Sequence, residues 1–139
     1  MRTLIFLSVI FILGSFKEET NTITIKVKGI SEVKGTIMLA FYENSKDFMN
    51  TEKADLAKEI AVKSSEMTIT FSGLKNGKTY AFGIYHDKNN NRKLDTNFLG
   101  IPQEKYAFSK NAMGTFGPPD FDEASFVSKP NQQMEVSLH

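Results

Sequence analysis

Thr22-Ile23-Thr24-Ile25-Lys26-Val27-Lys28 decides the fold class, because Ile23, Ile25 and Val27 alternate strictly with threonine and lysine. Successive side chains of a β-strand point to opposite faces, so a period of two marks a strand with one buried and one wetted face. The pattern returns in Glu66-Met67-Thr68-Ile69-Thr70-Phe71, with Met67, Ile69 and Phe71 inward. It returns again over residues 132–138, with Met134, Val136 and Leu138 inward. Residues 35–42 are apolar on both faces, as a central strand is, and residues 79–86 form the strand that leads into a polar loop. In the second of these, Tyr80, Phe82 and Ile84 face one way, and Ala81, Gly83 and Tyr85 the other, where the small residues leave room for a close neighbour. Residues 58–63, carrying Ile60 and Val62, and residues 124–127 complete seven strands.

Turns punctuate these runs. Residues 29–34 would join the first two strands as a hairpin, Ser64-Ser65 follows the third, and Gly73-Leu74-Lys75-Asn76-Gly77 favours a tight reversal at positive φ. Residues 43–57 are polar, anchored only by Phe48, Met49 and Leu56, and read as a loop with one short helical turn. Seven short strands without helical periodicity predict an all-β fold, an antiparallel β-sandwich of immunoglobulin-like or transthyretin-like type. Residues 96–124 break the pattern. A loop of that length is functional or disordered, and its aromatic residues argue against disorder, so it is expected to build one end of the sandwich.

The 139 residues fit one domain over residues 17–139, preceded by a signal peptide over residues 1–16. Arg2 precedes an apolar run over residues 4–13, then Gly14 and Ser15 lead to Lys17-Glu18-Glu19. That run is shorter than the roughly 20 residues a membrane-crossing helix needs, so the expected destination is the periplasm or the exterior, with no transmembrane span in the mature chain. The absence of cysteine excludes disulfides, thiolate ligands, a cysteine nucleophile and a lipid-modified cysteine. Of 17 basic residues, loss of Arg2 with the signal leaves 16 against 16 acidic ones, which excludes an electrostatic footprint for nucleic acid.

Chemistry concentrates in Tyr85-His86-Asp87-Lys88-Asn89-Asn90-Asn91-Arg92-Lys93-Leu94-Asp95-Thr96-Asn97. Against the calcium-binding EF-hand loop, Asp87, Asn89 and Asn91 take positions one, three and five, Lys93 offers a backbone carbonyl at seven, and Asp95 stands at nine. Arg92 replaces the glycine at six and Phe98 the bidentate glutamate at twelve. Lys88, Arg92 and Lys93 outnumber the acids, so any calcium affinity is expected in the range of about 10⁻⁴ to 10⁻³ M. Glu104, or an acid among Asp120, Asp122 and Glu123, could complete the ligand set; the competing reading is an Asx-turn loop whose side chains bond their own backbone.

His86, next to an acid at a strand end, is a candidate binding residue or general base, set against a histidine bonded to backbone at the core edge. No G-x-S-x-G elbow surrounds Ser109, Ser125 or Ser128, and no catalytic residue is assigned. Tyr106, Phe108, Phe116 and Phe121 could form a binding platform or simply cover the open end of the sandwich.

Several separated motifs carry a resemblance. They are Phe71-Ser72-Gly73-Leu74 with Gly77 and Tyr80-Ala81; His86-Asp87, Asn89, Asn91 and Lys93-Leu94-Asp95; Leu99-Gly100-Ile101-Pro102 with Glu104; and Phe108-Ser109, Asn111-Ala112, Gly117-Pro118-Pro119 and Phe121. In this order they resemble the bacterial exported family called domain of unknown function 2141, over about residues 23–138. The resemblance implies a β-sandwich similar to transthyretin-like or carboxypeptidase-regulatory modules and implies no activity; the family's loop usually has glycine where this chain has Arg92. The expected function is an exported binding or accessory module for an envelope ligand or protein, with a calcium-stabilised loop of low affinity. The alternatives are a hydrolase of saccharide or cell-envelope material, using His86, Asp87 and Glu104, and a purely structural envelope protein.

Overall fold

The alternating strands do not pair with their sequence neighbours. In the computed structural model, which describes residues 19–139, the strands are β1 (Thr20–Lys28), β2 (Thr36–Tyr42), β3 (Leu56–Ala61), β4 (Met67–Lys75), β5 (Thr79–Asp87), β6 (Tyr106–Phe108), β7 (Phe126–Val127) and β8 (Gln132–Ser137), with a single-turn helix α1 (Phe121–Ala124). The expected signal peptide lies outside the described residues. One sheet has the order β4-β1-β8; the other runs β3-β2-β5-β6, with β7 also pairing β5.

The expected hairpin between the first two strands is therefore corrected. β1 pairs with β4 and, in parallel, with β8, whereas β2 pairs with β3 and β5 in the opposite sheet. Side by side in one sheet, the stripe Ile23, Ile25, Val27 and the stripe Ile37, Leu39, Phe41 would each still need a cover. Facing each other, the sheets bury both at once. The crossing chain turns at Gly29 (φ 81°), so close to the end of the chain that a Cβ there would stand 2.6 Å from the Leu138 carbonyl oxygen.

The sandwich is antiparallel-rich. Phe41 is its central contact, with ring centroids 4.5 Å from Phe71 of the facing sheet and 5.4 Å from Phe82 of its own. Full burial of such a side chain is worth about 1.5–3 kcal/mol, and Ile25, Val27, Ile37, Leu39, Phe41, Tyr80 and Phe82 are all buried to this degree. Among the described residues no helix is long and apolar enough to cross a membrane.

Residues 96–124 hold one more strand, β6, whose three residues are too short to show a period. Its free edge is closed by the end of the chain: the backbones of Tyr106 and His139 exchange hydrogen bonds at 3.2 and 3.0 Å. Between β6 and β7 the buried Ser109 hydroxyl takes over the sheet edge, accepting from Phe82 N at 3.0 Å and donating to Ala124 O at 2.6 Å. A second apolar cluster covers part of the outer face of the five-stranded sheet, where Ala81, Phe108 and Ala124 pack with Phe48, Tyr106 and Phe121. The Phe48 ring lies 5.5 Å from Tyr42, 5.9 Å from Phe108 and 5.7 Å from Phe121, which orders the loop after β2 and the segment after β6 together.

Gly35, at the entry to β2, tests the approach of backbone to backbone. Its φ is 72°, and a Cβ there would lie 2.2 Å from the Asp87 carbonyl oxygen. Gly35→Ala is expected to lower stability in urea unfolding by roughly 2–4 kcal/mol, the sum of left-handed strain and overpacking. Gly73→Ala, at φ 106° with open space around it, carries only the strain and should cost less. Equal losses at the two positions would refute the close packing.

Candidate functional site

β5 delivers the site, because its alternation sends His86 to the core and Asp87 to the opposite face. The buried Asp87 carboxylate organises the loop that follows: Oδ1 accepts from Asn91 N at 3.2 Å and Oδ2 from Arg92 N at 2.7 Å. Asn89 Oδ1 accepts from Asn91 N at 3.1 Å, and Asn91 Oδ1 from Lys93 N at 2.8 Å, two consecutive Asx turns. The chain bends left-handed at Asn90 (φ 58°) and at Arg92 (φ 61°). Arg92 thus adopts the conformation for which the calcium-loop template uses glycine, at a cost of about 1 kcal/mol.

The buried Glu104 clasps the loop from outside it. Its Oε1 accepts from Lys88 N at 2.8 Å and its Oε2 from Asp95 N at 3.1 Å, holding both arms. The Asp95 carboxylate receives the side-chain amides of Asn89 and Asn91 at 2.7 and 2.8 Å. The structure so brings together Asp87, Asn89, Asn91, Lys93, Asp95 and Glu104. The side-chain oxygens of Asp87, Asn89, Asn91 and Glu104 accept backbone N–H groups, and both amide nitrogens turn toward Asp95. Among the described residues no group of three or more His, Cys, Asp or Glu side chains is placed to hold a metal ion.

The loop is also one wall of a groove. Cross-strand register sets two rows on the outer face of the five-stranded sheet. Ala57, Ala40 and Gly83 stand side by side and end at Phe108; next to them run Glu59, Met38, Tyr85 and Tyr106. Above the rows is a cavity of about 1100 Å³, bordered by residues 92–94 and 99–102 after the loop and by Met49 and residues 116–118. Large apolar side chains on this rim stand in water: Phe116 is 102% exposed, Leu99 69%, Ile101 53% and Met49 41%. Apolar groups clustered around one concavity mark an interaction site more specifically than the same groups scattered singly.

Charge enters at the loop side. Arg92 Nε lies 3.3 Å from Glu59 Oε1 in an exposed pair. Burial pushes the Tyr85 hydroxyl up to about 12, and the negative Asp87 and Glu104 push in the same direction. Tyr85 is therefore a neutral phenol, able to donate a hydrogen bond, throughout the ordinary pH range.

The residues expected to bind separate into three places. Tyr106, Phe108 and Phe116 line the groove, although Phe108 is largely buried in its floor. Phe121 packs on Phe48 beside it and is not among the groove residues. His86 lies fully buried in the core with Nε2 2.7 Å from the Lys34 carbonyl oxygen; its Nδ1 has no hydrogen-bond partner among the described residues, and it faces away from the groove. His86 and Asp87 occupy opposite faces of β5, and both oxygens of Asp87 and of Glu104 already accept backbone N–H groups. Sequence reasoning missed Met38, Ala40 and Ala57, since only pairing of β2 with β3 and β5 places them beside Gly83. Its one available signal was the small-residue face of β5.

The sequence matches the family described as "Uncharacterized protein conserved in bacteria (DUF2141)" over residues 25–136. Neither the curated proteins nor the solved structures contain a match.

The position of Tyr85 predicts an alkaline transition. A phenol raised from about 10 in the unfolded chain to about 12 in the folded one holds its full contribution below pH 10, and that contribution is lost as pH rises through 12. Ultraviolet titration of phenolate should show a tyrosine ionising near pH 12, and Tyr85→Phe should remove that step. Persistence of the step in the variant would reassign it to another tyrosine.

Proposed function

The chain belongs to the bacterial family DUF2141, whose description carries no activity, and we propose from its site that it is an exported binding module that takes an apolar ligand into the groove. One observation carries this reading: Met49, Leu99, Ile101 and Phe116 are held in water around a cavity floored by Ala40, Ala57 and Gly83. The full exposure of Phe116 forfeits burial worth about 1.5–3 kcal/mol, and the partly exposed Met49, Leu99 and Ile101 forfeit less, a cost that a ligand seated among them would recover. Export rests on the charged, apolar and small-residue pattern of residues 1–16.

The residues of the hydrolase reading, His86, Asp87 and Glu104, are not among those lining the groove. An acid–base mechanism needs a titratable group within reach of the substrate. His86 is on the wrong face of β5, and Asp87 and Glu104 have their oxygens engaged with the loop backbone. Ala40→Phe should fill the row between Ala57 and Gly83 from a half-buried position that needs no core repacking. N-phenyl-1-naphthylamine is expected to brighten on binding the parent protein and to bind the variant at least about tenfold more weakly, or 1.4 kcal/mol. Absence of brightening in the parent, or equal binding by a variant with unchanged melting, would reject the groove as the site.

A second reading concerns calcium at the loop, favoured by the left-handed Arg92 and by Glu104 meeting the Asp87-to-Asp95 segment. An oxygen that accepts one hydrogen bond keeps a lone pair for a cation, so the Asx turns are compatible with binding. Calcium would have to displace the two amide contacts to Asp95, which fits an affinity of about 10⁻³ M. At ten times that concentration calcium should raise unfolding stability by about 1.4 kcal/mol, with a smaller effect from magnesium. No difference between the two ions would reject a calcium-selective loop.

A further inference from the structure

We propose that the mouth of the groove docks on the surface of a phospholipid bilayer, with Phe98, Leu99, Ile101 and Phe116 entering the boundary between headgroups and acyl chains. The inference goes beyond the reading of the groove as a ligand site, because it accounts for a side chain that a groove ligand leaves in water. Phe98 is 95% exposed and is not among the groove residues.

The construction of the tip over residues 96–102 supplies the first argument. A bridge between Thr96 and Pro102 closes it. Inside it Asn97 N donates to Ile101 O and Gly100 N to Asn97 O, both at 2.9 Å. The Asn97 side chain adds two contacts, its Oδ1 accepting from Leu99 N at 2.9 Å and from Ile101 N at 3.0 Å, and Pro102 has no N–H to satisfy. A loop entering lipid leaves behind the water that would otherwise bond its backbone, so a tip whose N–H groups are bonded internally enters at lower cost. The tip keeps its shape while Phe98, Leu99 and Ile101 stand in water. Phe116 lies in a second compact turn, where a Cβ on Gly114 would meet the carbonyl oxygens of Gly117 and Pro118 at 2.4 Å.

The distribution of charge and area supplies the second. In a chain with 24% charged residues, residues 96–103 and 111–119 carry none, and both segments reach the groove border. No charge on them has to be desolvated as they enter lipid. Phe98 and Phe116 expose roughly 150–250 Å² each, and with the less exposed Leu99 and Ile101 the total stays below the roughly 800 Å² that a stable protein partner covers. The patch is also spread over two loops around a concavity. A fluid bilayer, unlike a folded partner, needs no matching relief.

The absence of cysteine allows a single reporter to be placed on the expected mature chain, residues 17–139, which lacks the apolar run over residues 4–13 and holds the whole described fold. Phe98→Cys carrying a nitrobenzoxadiazole label should brighten and shift to the blue on phosphatidylcholine vesicles. The same label at Thr68→Cys, exposed on the outer face of the opposite sheet, should not change. In co-sedimentation, Phe98→Ser should weaken partition at least about threefold, and Phe98→Ser with Phe116→Ser at least about tenfold, each with unchanged melting. Adding phosphatidylglycerol or salt should alter little; binding that needs the anionic lipid and is lost in salt would overturn apolar docking. So would an unchanged label at residue 98, equal brightening at both positions, or partition indifferent to the two substitutions. Dye binding without vesicles judges the groove separately, and Phe98→Ser should leave it unchanged. Failure of the dye with vesicle partition intact removes the ligand reading and not the docking.

Discussion

Strand β5 has to satisfy two apolar surfaces at once, and the rest of the molecule follows from that constraint. On one face Tyr80, Phe82, Ile84 and His86 enter the sandwich core; on the other Ala81, Gly83, Tyr85 and Asp87 need a different cover. The chain supplies it in parts. β2 takes one edge of β5, while β6, Ser109 and β7 share the other. Phe48, Phe108 and Phe121 close over the Ala81 end, and the Asp87 loop rises at the far end. What is left uncovered between them is the groove. The cavity is thus the remainder of a central strand that no element among the described residues fully covers.

The loop is held by buried carboxylates that have no cationic partner among the described residues. Asp87 and Glu104 are removed from water, a costly placement that their four backbone N–H contacts offset. These contacts fix residues 88–95 without secondary structure, and with them the wall that carries Arg92 and Lys93. The same network accounts for an incomplete resemblance to a calcium loop. An Asx-turn ladder and a cation cage use the same oxygens in the same spacing, and here Asp95 provides the negative centre toward which Asn89 and Asn91 turn.

A rigid sheet face with walls built from loops is a common way to separate stability from recognition. Here the core, centred on Phe41, lies on one side of β2 and β5, and the groove on the other. Changes at Ala40 or Gly83 need not disturb the core, because alternate residues of the same strands serve the two purposes. At Gly83, for instance, a Cβ would meet the Phe108 ring at an ordinary 3.6 Å.

Much of this was legible in the sequence. The period of two in residues 22–28, 66–71 and 132–138 specified strands and their inward faces, because alternation is a property of the strand itself. The doubly apolar residues 35–42 marked a central strand, and the spacing of Asp87, Asn89, Asn91 and Asp95 marked an oxygen-rich loop, either a cation site completed by Glu104 or by an acid among Asp120, Asp122 and Glu123, or a ladder of Asx turns. Tertiary structure alone decided which strands are neighbours. It set β1 parallel to β8 and placed β2 in the opposite sheet, since pairing depends on where two apolar stripes can face each other and not on proximity along the chain. It alone decided the site as well. A groove made of Ala57, Ala40 and Gly83 joins residues far apart in sequence through cross-strand register, and no local period encodes that register.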